Sequence, residues 1–265
     1  MAKSKLSFIR AVRGLLTRVV GAIVLVGLLG GRSEEARAYG GSALSCPPYQ
    51  EPVIDLNIVN KPLRYDLTRD VLSIEALAVG RNGGLAAGAR QLPVGLTTSR
   101  LQFQSSMEIK MTAFPGDPLL CGQVARATMT LGLENTTVYV GREFPQGSCA
   151  YGEILAHEHR HVQADRELVD AYRPVLFQAV RSALIAQGRF RAGSRETAQV
   201  AAKRVMDAAA DDVLRRMEVD RSRRHGAIDT LAEYQRVSYV CNGEVARVVT
   251  PVLRGRESRG RPKGF

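Results

Sequence analysis

An α+β fold, a β-rich N-terminal half feeding a helical half, is what this sequence predicts, on three observations. Stretches of alternating or β-branched residues fill the chain up to about residue 148. From Tyr151 the run YGEILAHEHRHVQADRELVDAY places Ile154, Leu155, Val162, Leu168 and Val169 at mixed three- and four-residue steps, with no Gly or Pro over residues 153–173. Ser194 then stands as a cap before a second long helical stretch.

Taken in order, the chain opens on Lys3, Lys5, Arg10, Arg13 and Arg18, followed by an apolar run over residues 19–31 and the small-residue triplet Ala36-Arg37-Ala38. This is the pattern of a signal peptide spanning residues 1–38. At thirteen residues the run is shorter than the roughly 17–25 needed to span a bilayer, which favours cleavage over a stable membrane span. The expected location is therefore periplasmic or secreted.

Residues 39–253 form one expected domain, β-rich over 46–148 and helical over 150–250. Segments 53–59, 101–112, 123–131 and 136–140 read as strands, with turns at Pro47-Pro48, Pro115-Gly116 and Glu134-Asn135. The glycine-rich stretch 81–95 reads as a loop whose spacing fits neither a dinucleotide fingerprint nor a P-loop. The first helix runs from about Gly152 to about Gln187, with an interruption or kink expected at Pro174. The second runs from Ser194 to about Arg223, with Val200, Val205, Ala208, Ala209, Val213 and Met217 as its packing face. A third helix is expected through Tyr239, then a strand or loop, and finally a disordered basic tail over 254–265.

Charge follows the ends of the chain. The net +11 falls to +6 once residues 1–38, with seven basic and two acidic side chains, are set aside; the tail carries +4 of the remainder. A body near +2 without an aromatic-interleaved basic stripe excludes a nucleic-acid-binding surface of the usual kind.

The chemistry concentrates in His157-Glu158-His159-Arg160-His161, an H-E-x-x-H motif on the first helix. Residues four apart share a helix face, so His157 and His161 can present two imidazole nitrogens to one zinc ion, with Glu158 close enough to act on a metal-bound water. His159, two residues on, points to the opposite side and is not expected to ligate. A catalytic zinc takes three protein ligands and keeps one position open for water. With a helical hairpin centred on Gly193, His161 lies 32 residues before the turn and His225 lies 32 after it, which makes His225 the first candidate for the third ligand. Asp220 and Asp229 are the carboxylate alternatives, and Tyr234 is placed to donate to an oxyanion.

Four cysteines in an exported chain imply two disulfides, and of three possible connectivities Cys121 with Cys149 and Cys46 with Cys241 is expected.

A strand TTVYV, a loop and a helix carrying HEHRH resemble the zincin superfamily of metallopeptidases, and more closely its poorly characterised secreted bacterial members. The resemblance implies an edge strand, here Thr137, Val138, Tyr139 and Val140, that binds an extended peptide above the cleft. Ala164 and Glu167 stand where a metzincin has Gly and His, and the gluzincin Glu-x-x-x-Asp is met only by Asp207-x-x-x-Asp211. The implied function is an exported zinc metallopeptidase or amide hydrolase with Glu158 as general base, acting on a peptide, protein or peptidoglycan peptide. The alternative is a non-catalytic zinc- or peptide-binding envelope protein on the same scaffold.

Overall fold

The structure is a computed structural model that describes residues 46–82 and 92–260. The expected signal peptide, most of the glycine-rich loop and the last five residues lie outside the described residues. The α+β expectation is met: among the described residues five strands form one mixed sheet, accompanied by four helices. Among the described residues no helix is long and apolar enough to cross a membrane.

The sheet is organised on two long strands, β3 (Gly95–Thr112) and β4 (Leu120–Val140), paired antiparallel along their length. On the other side of β4 lie β1 (Val53–Ile58) and β2 (Arg64–Asp66), both parallel to it, and β5 (Phe190–Ala192), antiparallel to its start. Helix α1 (Val71–Asn82) connects β2 toward β3 and, like β2 and β5, has no counterpart in the sequence reading.

Where a turn was expected at Glu134-Asn135, β4 instead continues. Asn135 adopts φ 53°, and the register steps from Arg100 opposite Glu134 to Thr98 opposite Thr137. Two residues of β4 therefore face Ser99 alone, which is a β-bulge. A local tendency to left-handed backbone was real, but pairing on both sides kept the strand intact.

Helix α2 (Cys149–Gln187) starts at Ser148, whose side chain accepts from the Tyr151 N–H at 3.1 Å. It runs through Pro174 without interruption. Pro174 is exposed, so the hydrogen bond it forfeits faces water, and burial of Leu168 and Val169 before it and Leu176 and Val180 after it holds both halves on the same core.

Helix α3 (Arg195–Ile228) returns antiparallel from a Ser194–Thr197 capping box. Its packing face is Ala198, Ala202, Met206, Ala210, Val213 and Met217, so the expected face holds at Val213 and Met217, while Val200 is 51% exposed. Alanines carry this stripe because they let α3 approach α2 closely, a signal that a search for large apolar residues passes over. Helix α4 (Leu231–Gly260) breaks at residues 240–243, where Cys241, Asn242 and Gly243 all have positive φ. It then extends into the tail expected to be disordered.

The cysteines pair as Cys46–Cys121 and Cys149–Cys241, which corrects both expected bridges. Spatial neighbourhood decides: Cys46 precedes β1 and meets the start of β4, while Cys149 opens α2 beside the break in α4.

Candidate metal centre

The inward face of α2 is apolar at Ile154, polar at His157, Glu158, His161 and Asp165, and apolar again from Leu168. All four polar side chains are buried, Asp165 to 1% exposure. They sit where the two hydrophobic clusters of the molecule meet: one joins β4, the C-terminal part of α2 and α3, the other the end of β4, the start of α2 and α4. Burying charge costs several kcal/mol per group unless each finds partners, so the partners define the site.

Three ligand atoms converge. His157 Nε2 stands 3.2 Å from His161 Nε2, His161 Nε2 is 3.0 Å from Asp229 Oδ1, and His157 Nε2 is 3.2 Å from the same oxygen. Ligand atoms about 2.0–2.2 Å from one tetrahedral ion stand roughly 3.3 Å apart, so these separations fit a His-His-Asp metal site. Asp229 caps the C-terminus of α3 and is the exposed member of the three. Burial alone would raise its carboxyl; hydrogen bonds and charge from His157 and His161 outweigh this and hold it well below the usual carboxylate range. For His157, burial works to lower the imidazole, but Asp229 and Glu158 together lift it above its ordinary value.

Glu158 opens into the same cavity of about 170 Å³, which also exposes Tyr234 and an apolar wall from Ile154 and Val237. Thr97 Oγ1 lies 2.8 Å from Glu158 Oε2, to which it donates, and 3.0 Å from the Glu158 carbonyl. Burial pushes the Glu158 carboxyl above its ordinary value, against the opposing pull of His161, His157 and Thr97. Gly95 lets β3 come this close: a Cβ there would lie 2.6 Å from Glu158 Oε1 and 2.7 Å from Ile154 Cγ2.

His157 and His161 each turn the other ring nitrogen to a separate network. His157 Nδ1 faces Glu233 Oε1 at 3.4 Å and Arg160 Nη2 at 3.0 Å, and Glu233 is itself bound by Arg160 and Arg236. Hydrogen bonding from Arg236, then Arg160 and His157, draws the Glu233 carboxyl down to about 2. His161 Nδ1 meets His225 Nδ1 at 3.1 Å, and His225 Nε2 meets Asp165 Oδ1 at 2.8 Å.

The hairpin arithmetic thus located His225 beside His161, but on the nitrogen away from the metal group, and Asp229 takes the third position. Equal distance from a turn fixes the level along two helices, not which ring atom is met. Asp220 is bound to Arg223 and Arg224 on α3 and is not in the site. His159 is exposed, with its Nε2 3.0 Å from the Tyr65 hydroxyl. Tyr234 is brought to the site: its ring lies 6.2 Å from that of His157, and burial, with the nearby Asp229 carboxylate, raises its phenol above the ordinary value.

The substrate-edge expectation is corrected. Thr137, Val138 and Tyr139 pair with β2 on one side, and with Val140 they pair with β3 on the other, so their main-chain groups are already used. Among the described residues the strand that borders the cavity is the start of β3, with Gly95, Leu96 and Thr97 in its wall. Asp165, Arg221, Ser99 and Thr97 were also missed. An acid four residues after His161 on the apolar face of α2 was the one local signal available. No known protein family, curated protein or solved structure matches the chain, so the geometry of the centre alone carries the functional argument.

Proposed function

We propose that this chain is a zinc-dependent hydrolase of amide bonds, of the metallopeptidase class, with His157, His161 and Asp229 as zinc ligands. The observation that carries this reading is one cavity lined by the His-His-Asp group, the raised carboxyl of Glu158 and the Tyr234 phenol. Zinc held there supplies a water of pKa about 7 and a Lewis acid for the scissile carbonyl.

Glu158 takes a proton from that water and delivers it to the leaving amine; a carboxyl raised by burial suits both halves of the transfer. Thr97 keeps the carboxylate from swinging away. Tyr234, held protonated, donates to the oxyanion as it develops. An extended peptide lies along the start of β3, whose outer side carries no strand among the described residues. Two disulfides suit an oxidising compartment outside the cytoplasm.

Glu158→Gln tests the mechanism. Peptide hydrolysis by the zinc-loaded chain should fall at least a hundredfold, while zinc remains bound at one equivalent by elemental analysis. Undiminished hydrolysis in that variant removes Glu158 from the reaction.

A further inference from the structure

Asp165 is the most heavily bonded carboxylate in this region and bonds to none of the three proposed zinc ligands. Arg221 donates to it through Nε at 2.7 Å and Nη2 at 2.9 Å, Ser99 donates through its hydroxyl, and His225 Nε2 is 2.8 Å away. The bulge in β4 leaves Ser99 as the residue that reaches this carboxylate, and Arg221 Nη2 also lies 2.6 Å from Ser99 Oγ. A carboxylate that already accepts from a guanidinium and a hydroxyl is an acceptor toward its third partner as well, so the proton of that bond sits on His225 Nε2.

A neutral imidazole with its proton on Nε2 has a lone pair on Nδ1. His225 Nδ1 therefore accepts, and the proton of the 3.1 Å bond belongs to His161 Nδ1. His161 is then left with its lone pair on Nε2, the atom that meets His157 and Asp229. With the opposite proton arrangement, His161 Nε2 would carry a hydrogen into the metal group and could not ligate.

We infer that His225 is a positioning residue for the metal centre: through it, buried Asp165 selects the His161 tautomer that offers Nε2 to the ion and holds the ring at the angle of ligation. The inference rests on the zinc-centre reading and adds to it a chain of carboxylate, imidazole and imidazole behind one ligand. A single carboxylate or carbonyl is the common arrangement behind a ligand histidine; here a second histidine spans the gap that Asp165, one turn along α2, cannot close itself.

The test measures zinc affinity by chelator competition in wild type, His225→Ala and His225→Gln, with thermal unfolding of each metal-free chain alongside. Glutamine carries one acceptor and one donor and can stand between His161 and Asp165. His225→Ala should weaken zinc binding about 10–100-fold, and His225→Gln should return it to within about threefold of wild type. Alanine and wild type binding equally, or glutamine binding no better than alanine while unfolding at the wild-type temperature, overturns the inference. Nitrogen-15 spectra of zinc-loaded wild type give a readout independent of any variant: His225 should be protonated on Nε2 and bare on Nδ1, and the reverse pattern overturns it. If wild type takes up no zinc, the centre itself falls and the inference with it; zinc uptake unaffected by the alanine change removes only the role of His225.

Discussion

The two histidines of the candidate metal group are backed by carboxylates in opposite surroundings. Behind His161, Asp165 is 1% exposed and its partner Arg221 is 18% exposed, enclosed between α2, α3 and β3. Behind His157, Glu233 is bound by Arg160 and Arg236, which are 48% and 44% exposed along the rim between α2 and α4. In the interior network inferred above, donation runs from His161 through His225 to the accepting Asp165 carboxylate. At the rim, an acceptor and a cationic donor both face His157 Nδ1. Interior charges have no water to replace a lost partner, whereas rim charges do. One ligand is therefore oriented by the folding of the core, and the other by electrostatics that solvent can modulate.

The sharpest way to break this contrast is to remove each carboxylate. Asp165→Ala strands Arg221 in the interior and should cost roughly 3–5 kcal/mol of stability in urea denaturation. Glu233→Ala releases two arginines into water and should cost about 0–1 kcal/mol. Equal losses would erase the distinction.

Next in size is an effect on metal. Glu233→Gln should weaken zinc binding about tenfold, with the urea midpoint of the metal-free chain little changed. A large shift of that midpoint would make Glu233 a folding element and not a partner of the ligand.

Acid sharpens the contrast further. The Asp165 carboxyl is held below its ordinary range: burial would raise it, but His225, Arg221 and Ser99 prevail. A group depressed on folding contributes stability above its unfolded value, about 3.9 for Asp, and loses it as pH falls toward the folded value. The stability gap between wild type and Asp165→Asn should thus hold from neutrality to about pH 4 and narrow only below it. A gap that closes between pH 7 and 5 would contradict this.

Salt gives the smallest effect. Raising ionic strength from 0.1 to 1 M shortens the screening length from about 10 to 3 Å. Whatever stability Glu233 contributes should shrink in that range, while the Asp165 gap stays constant in parallel denaturation curves.

Much of the frame was legible locally. The three- and four-residue steps around His157 and His161 set α2, Ser194 set the start of α3, and alternation found β1 and most of β3 and β4. Pro174 and Glu134-Asn135 misled for the same physical reason: each carries a real local preference that packing on both sides overrides. Asp229 stood among the sequence candidates, yet only the folded turn between α3 and α4 brings it to the histidines. Thr97, Ser99, Arg221 and the cysteine pairing were not legible, because they depend on contacts between β3, α2 and α3 that no local pattern encodes.

The two disulfides join each cysteine to the next one along the chain, 75 and 92 residues apart, and their loops do not overlap. If the chain emerges N-terminus first into an oxidising compartment, Cys46 and Cys121 are presented before Cys149 and Cys241, so each native pair is complete before the next begins. The nested wiring expected from the sequence would have required Cys46 to wait unpaired past both inner cysteines. The second loop encloses every residue from His157 to Tyr234, so one covalent ring spans the whole His-His-Asp group, while Thr97 and Ser99 reach it from β3 outside that ring.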